Sequence, residues 1–83
     1  MKTKEDIFKT LQKEMLAMFD VTEEDLTLDA KLYEDLDIDS IDIVDLVVKV
    51  RELTGKKPDP ERFKQIRTLG DIVDAVYELV NQP

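Results

Sequence analysis

Apolar residues recur at steps of one, three and four in three separate stretches of this chain, the spacing of amphipathic helices. Ile7, Phe8, Leu11, Met15, Met18 and Phe19 share one helical face, leaving Lys9, Gln12, Lys13 and Glu14 for the outside. Ile43, Leu46, Val47, Val50 and Leu53 share another, and Leu69, Ile72, Val73, Val76, Leu79 and Val80 a third. Local punctuation fixes the ends. Thr3 can cap the first helix, with Glu5 and Asp6 at its positive end. The second should run from about Ser40 to Thr54, stopped by Gly55 and by Pro58 beyond. Asp59-Pro60 predicts a short third helix through Phe63, with Phe63 and Ile66 plugging one end of the bundle. Thr68 caps the last helix, with Asp71 as its capping-box partner. The expectation is all-α: a small four-helix bundle of three main helices and one short one, forming a single domain over residues 1–83.

Between the first two helices, from Asp20 to Asp39, the periodicity fails. Val21, Leu26, Leu28, Leu32, Tyr33 and Leu36 recur among acids, too irregularly for one helix and too often for a solvated linker. A loop of this length in a compact domain is pinned by its own side chains or serves a function. The leucines should pin it over the bundle, with a helical turn at Thr22–Asp25 and another near Leu32–Leu36.

The second helix is apolar on more than its core face. Ile41, Val44 and Val48 form a narrower stripe opposite the core, with Asp42, Asp45, Lys49 and Glu52 alongside. Two readings stand open: an exposed strip where partners dock, which is the expectation, or a patch that the long loop folds over and buries.

Charge is segregated in the same region. Of a formal net charge of −8, the window from Asp20 to Asp45 holds eleven acids and one base, Lys31. Such a face repels nucleic-acid phosphate and suits partners with basic patches, although an acidic surface also simply confers solubility. The chain has no cysteine or histidine, which removes disulfides, thiolate metal sites and the commonest general base. An enzyme is the least expected class, and no metal site is expected. No apolar run is long enough to insert in a membrane, so a cytoplasmic monomer is the expectation.

Asp35, Asp37 and Asp39 alternate as in an EF-hand calcium loop, but Ser40 stands where that loop needs glycine and Leu46 where it needs glutamate. The calcium reading is rejected. Ser40 itself, at the start of the second helix, could be an ordinary N-cap.

The same serine carries a resemblance. Leu36 stands three residues before Asp39; then come Asp39-Ser40-Ile41-Asp42 and Val44-Asp45-Leu46-Val47, and later Gln65-Ile66-Arg67-Thr68-Leu69-Gly70-Asp71-Ile72-Val73. In these segments, and in its long first connection, the chain resembles the acyl carrier protein family. The resemblance implies that Ser40 bears 4′-phosphopantetheine transferred from coenzyme A, whose thiol holds acyl groups as thioesters. It implies that Asp39 and neighbouring acids meet the phosphopantetheinyl transferase, Asp39 also through the transferase's metal. Partner enzymes that transfer or condense acyl groups would then read Ile41, Asp42, Val44, Asp45, Val48 and Glu52. Ile43, Leu46 and Val47 could part to sheath an acyl chain. The implied pathways are fatty acid, polyketide or related lipid synthesis; the alternatives are an aminoacyl or peptidyl carrier, or an unmodified acidic interaction domain in which Ser40 only caps. Asp37 stands where many members have glycine, Ile41 where fatty acid carriers have leucine, and Lys49 and Arg51 dilute the acidity of the second helix.

Overall fold

A computed structural model describes residues 3–82; Met1, Lys2 and Pro83 of the expected single domain lie outside them. The elements are α1 (Lys4–Met18), α2 (Ser40–Thr54), α3 (Pro60–Lys64) and α4 (Leu69–Val80), with a 3-10 turn at Glu23–Asp25. Among the described residues there is no strand, only an isolated antiparallel bridge between Lys31 and Thr68. No helix among them is long and apolar enough to cross a membrane.

Each helix starts where its capping chemistry dictates. Thr3 accepts from the Asp6 N–H at 3.1 Å, and Asp59 precedes Pro60 at the head of α3. Thr68 and Asp71 form a reciprocal capping box on α4. α2 ends on Gly55 with φ of 69°, a left-handed conformation that glycine adopts without a Cβ penalty. The apolar faces then meet in one core: Ile7, Leu11 and Met15 from α1, Ile43, Leu46 and Val50 from α2, Phe63 and Ile66 from α3 and its exit, and the inner face of α4. Leu53, expected in that core, is only half-buried, in the last turn of α2.

The long loop is pinned, but by a different set of side chains and by more main chain than expected. Leu26, Leu32 and Leu36 are buried, joined by Ala30 and Ile38, which the irregular spacing had hidden. Leu28 and Tyr33 are instead 49% and 51% exposed. Leu28 works through its backbone: its carbonyl accepts the Gly70 N–H at 2.9 Å. That approach favours glycine, since a Cβ on residue 70 would sit 3.0 Å from the same oxygen and press the loop back by a few tenths of an ångström. The Leu32 N–H donates to the Arg67 carbonyl at 2.9 Å, and the Leu69 N–H to the Ala30 carbonyl at 3.0 Å. Gln12 and Glu14 of α1 are half-buried rather than outside. Gln12 Nε2 donates to the Leu26 carbonyl at 3.0 Å, and Glu14 approaches Lys49 of α2 at 3.9 Å. The turn at Thr22–Asp25 forms as expected. Around Leu32–Leu36 the chain makes closed turns rather than helix: the Asp35 and Leu36 N–H groups both donate to the Lys31 carbonyl, and Asp35 Oδ2 accepts the Lys31 N–H.

Asp37 has φ of 55°, in the left-handed region. It is exposed, so its substitution tests backbone strain with little packing change. Asp37→Val should cost about 1–2 kcal/mol of unfolding free energy, because a branched side chain resists the left-handed region. Asp37→Gly should stay within about 1 kcal/mol of wild type, as relief of strain offsets the greater freedom of the unfolded chain. Urea midpoints at constant slope read both.

The Asp71 carboxylate accepts the Arg67 N–H at 2.9 Å and the Thr68 N–H at 3.1 Å. The Arg67 hydrogen bond is the main cause holding its pKa below the ordinary 3.8, with partial burial opposing and Thr68 and Arg62 assisting. A lowered folded pKa gives stability that is fully present above the unfolded value and lost as pH falls through the folded one. The stability difference between wild type and Asp71→Asn should therefore be flat above about pH 5 and shrink below about pH 4. A difference that does not change with pH would contradict this account.

Candidate functional site

The start of α2 emerges from the pinned loop at the surface, and its first residues divide the work between them. Asp39, not Ser40, is the N-cap: Asp39 Oδ1 accepts the Asp42 N–H at 2.9 Å. Asp42 Oδ2 returns the bond to the Asp39 N–H at 3.1 Å, closing a capping box. The reading of Ser40 as an ordinary cap is overturned, because the residue before it supplies a better acceptor at the right position. Ser40 is the first helical residue, exposed, and its hydroxyl has no hydrogen-bond partner among the described residues. The N–H groups of Ser40 and Ile41 are likewise without an acceptor there, whereas that of Ile43 is taken by the Asp39 carbonyl.

Beside Ser40 opens a cavity of about 500 Å³ between α2, α3 and the loop. Its wall is mostly apolar: Ile43, Val44 and Val47 from α2, Pro60 and Phe63 from α3. Tyr33 and Lys64 add a hydroxyl and an ammonium at its edge. Of the three acyl-sheath candidates, the structure brings Ile43 and Val47 to this cavity. Leu46 points into the core and is fully buried. Tyr33, Pro60 and Phe63 were read from the sequence only as parts of the scaffold, and Lys64 was not singled out at all. Only their convergence from two other segments places them here.

The stripe on the outer side of α2 is uncovered. Ile41, Val44 and Val48 are 72%, 61% and 52% exposed, so the loop does not fold over them. Val44 belongs both to this stripe and to the cavity wall. Asp45 and Glu52 are exposed beside it, and Asp42 is half-buried by its part in the capping box. Glu52 is engaged by Lys49 at 3.3 Å, an exposed pair of small energetic weight.

These features test the fit of a phosphopantetheine arm. A free hydroxyl at the first position of a helix, with two donor N–H groups unengaged, suits attachment of a phosphodiester near the positive end of the helix dipole. The adjoining cavity suits what such an arm would carry. The chain's residues fit the group.

Comparison with known proteins bears on the same segment. The model of the family described as "Phosphopantetheine attachment site" matches residues 9–76. The chain is 40% identical over 78 residues to "Acyl carrier protein 2" of Ralstonia nicotianae, covering 94% of this chain and 96% of that one. It is 36% identical to an acyl carrier protein of Coprothermobacter proteolyticus, covering 88% of this chain and 89% of the relative. An acyl carrier protein of Thermotoga maritima is 37% identical over 76 residues, covering 92% and 94%. The prosthetic group this family implies is 4′-phosphopantetheine, and its members are carriers rather than enzymes. Matched over most of its length by both the family model and these relatives, the chain belongs to the acyl carrier protein family.

Proposed function

We propose that Ser40 is the residue that carries 4′-phosphopantetheine, and that the chain presents acyl intermediates to the enzymes of fatty acid, polyketide or related lipid synthesis. The observation that carries the proposal is the free Ser40 hydroxyl at the rim of an apolar cavity, with Asp39 performing the capping that a serine there would otherwise do. When bound, the group supplies a thiol that the cysteine-free chain lacks, and holds cargo as a thioester. The chain's own residues supply attachment, shelter and address. Ile43, Val44, Val47 and Phe63 offer the hydrocarbon of a cargo an apolar wall. That wall favours an acyl chain over the polar head of an amino acid, and with it the acyl over the aminoacyl reading.

Ile41, Val44 and Val48, bordered by Asp42, Asp45 and Glu52, form the face that partners would read. Transferase and acyl-handling enzymes with basic patches fit it: the acids steer the encounter and the exposed aliphatic side chains contribute burial on docking. The proposed setting is a monomer working in the cytoplasm, without nucleic acid or membrane insertion.

Incubation with coenzyme A and a broad-range phosphopantetheinyl transferase should add the mass of one phosphopantetheine to wild type and nothing to Ser40→Ala. A folded wild type left unmodified, beside a control carrier that is modified, would overturn the proposal. The capping geometry makes the variant clean. Ser40→Ala should keep unfolding stability within about 0.5 kcal/mol, since alanine is the better helix former and no cap is lost. Asp39→Ala should cost about 1 kcal/mol. The reverse order of the two losses would return the cap to Ser40.

A further inference from the structure

A second cavity, of about 400 Å³, adjoins the one beside Ser40, and Tyr33 and Lys64 line both. Its character is different. Lys31, Lys64 and Arg67 face it, with Glu34 the one carboxylate on its lining. In a chain of net charge −8, this is a local excess of cations, and maintenance of the fold does not account for it. Lys31 meets Glu34 at 3.6 Å and Lys64 meets Glu61 at 3.3 Å, both across largely exposed side chains, where such pairs contribute little. Arg67 serves the fold through its main chain, and its guanidinium makes no ion pair among the described residues. The Tyr33 hydroxyl has no hydrogen-bond partner among them either.

The apolar cavity beside the attachment serine and the cationic one, with Tyr33 and Lys64 lining both, together have the polarity of a ligand with a hydrocarbon middle and an anionic end. We infer that the preferred cargo is an acyl group with a carboxylate at its far end. The inference rests on the proposed role of Ser40. The hydrocarbon lies along Val44, Val47 and Phe63, and the distal carboxylate is held by the Arg67 guanidinium and the Lys64 ammonium. The planar, two-pronged geometry of a guanidinium matches a carboxylate, and a lysine adds an adjustable point charge. Exchange of Lys64 from Glu61 to the cargo loses only a weak exposed contact.

The test uses the transferase to load three arms onto wild type and onto the Lys64→Ala, Arg67→Ala double variant. The arms are unacylated phosphopantetheine, a straight-chain acyl form, and the ω-carboxy acyl form of the same chain length. Thioester half-life against hydroxylamine and amide shifts at residues 64–68 are read for each. In wild type the ω-carboxy thioester should outlive that of the double variant by about two- to fivefold, the factor expected of a partly exposed charged contact. The advantage should fade in 0.5 M salt, while the plain acyl forms decay alike in both proteins. Equal lifetimes for the ω-carboxy form in both proteins would overturn the inference and leave the carrier role intact. So would shifts at residues 64–68 already complete with the unacylated arm, which would assign the cations to the arm's phosphodiester. Failure of every arm, the unacylated one included, to add to wild type would sink the carrier role, and this inference with it.

Discussion

Three main-chain hydrogen bonds hold this structure in its working form: Leu32 to Arg67, Leu69 to Ala30, and Gly70 to Leu28. They staple the long first loop to the entry of α4. A loop this long, laid across a core, must satisfy its own polar groups or lose the gain from burying its side chains. Here the staple satisfies them, and Leu26, Leu32, Leu36 and Ile38 can then enter the core. The chain therefore reaches Asp39 at a fixed place and angle, with Ile38 anchored inside and Ser40 turned out. Gly70 belongs to this arrangement as well as to the first turn of α4, because the absence of a Cβ eases the close approach of the Leu28 carbonyl.

The acidic excess has more than one use. Asp39, Asp42, Asp59 and Asp71 each accept backbone N–H groups at helix starts, and Asp35 closes the turn that begins at Lys31. Their carboxylates are set near positive helix ends, where a charge is favourable by a few tenths to about 1 kcal/mol. Part of the acidic surface around Ser40, at Asp39 and Asp42, is thus fixed by local folding chemistry.

What was legible in the sequence follows from range. Helix faces and their ends depend on residues three or four apart, and the faces of α1, α2 and α4, the Thr3 and Thr68 caps and the Gly55 stop came through. The path of the loop depends on Leu32 meeting Arg67, a pairing no local pattern encodes. Ile38, flanked by aspartates, gave no apolar signal, while Leu28 and Tyr33 gave one and proved exposed. Asp39 and Ser40 are both strong capping residues in adjacent positions, so composition could not decide between them; the reciprocal bonds of Asp39 and Asp42 do. The exposed stripe of Ile41, Val44 and Val48 was visible as an excess of apolar residues, but whether the loop covered it required the fold. The cavity was the least legible feature. Its lining comes from α2, α3 and the loop, and exists only once all three are in place.

The resulting helix α2 is apolar around more of its circumference than its core contacts need. Ile43, Leu46 and Val50 suffice to seat it, yet Val47 faces a cavity and Ile41, Val44 and Val48 face solvent. Exposed aliphatic side chains on so small a protein invite association, and the neighbouring acids oppose it through like-charge repulsion between copies. A basic partner surface reverses the sign of that interaction, so the same carboxylates that keep two copies apart draw a cationic partner onto the stripe. The serine lies at the end of the stripe and the rim of the cavity. A single helix terminus can therefore present an attachment point, a shelter and a contact face within one turn of each other, with Val44 common to the last two.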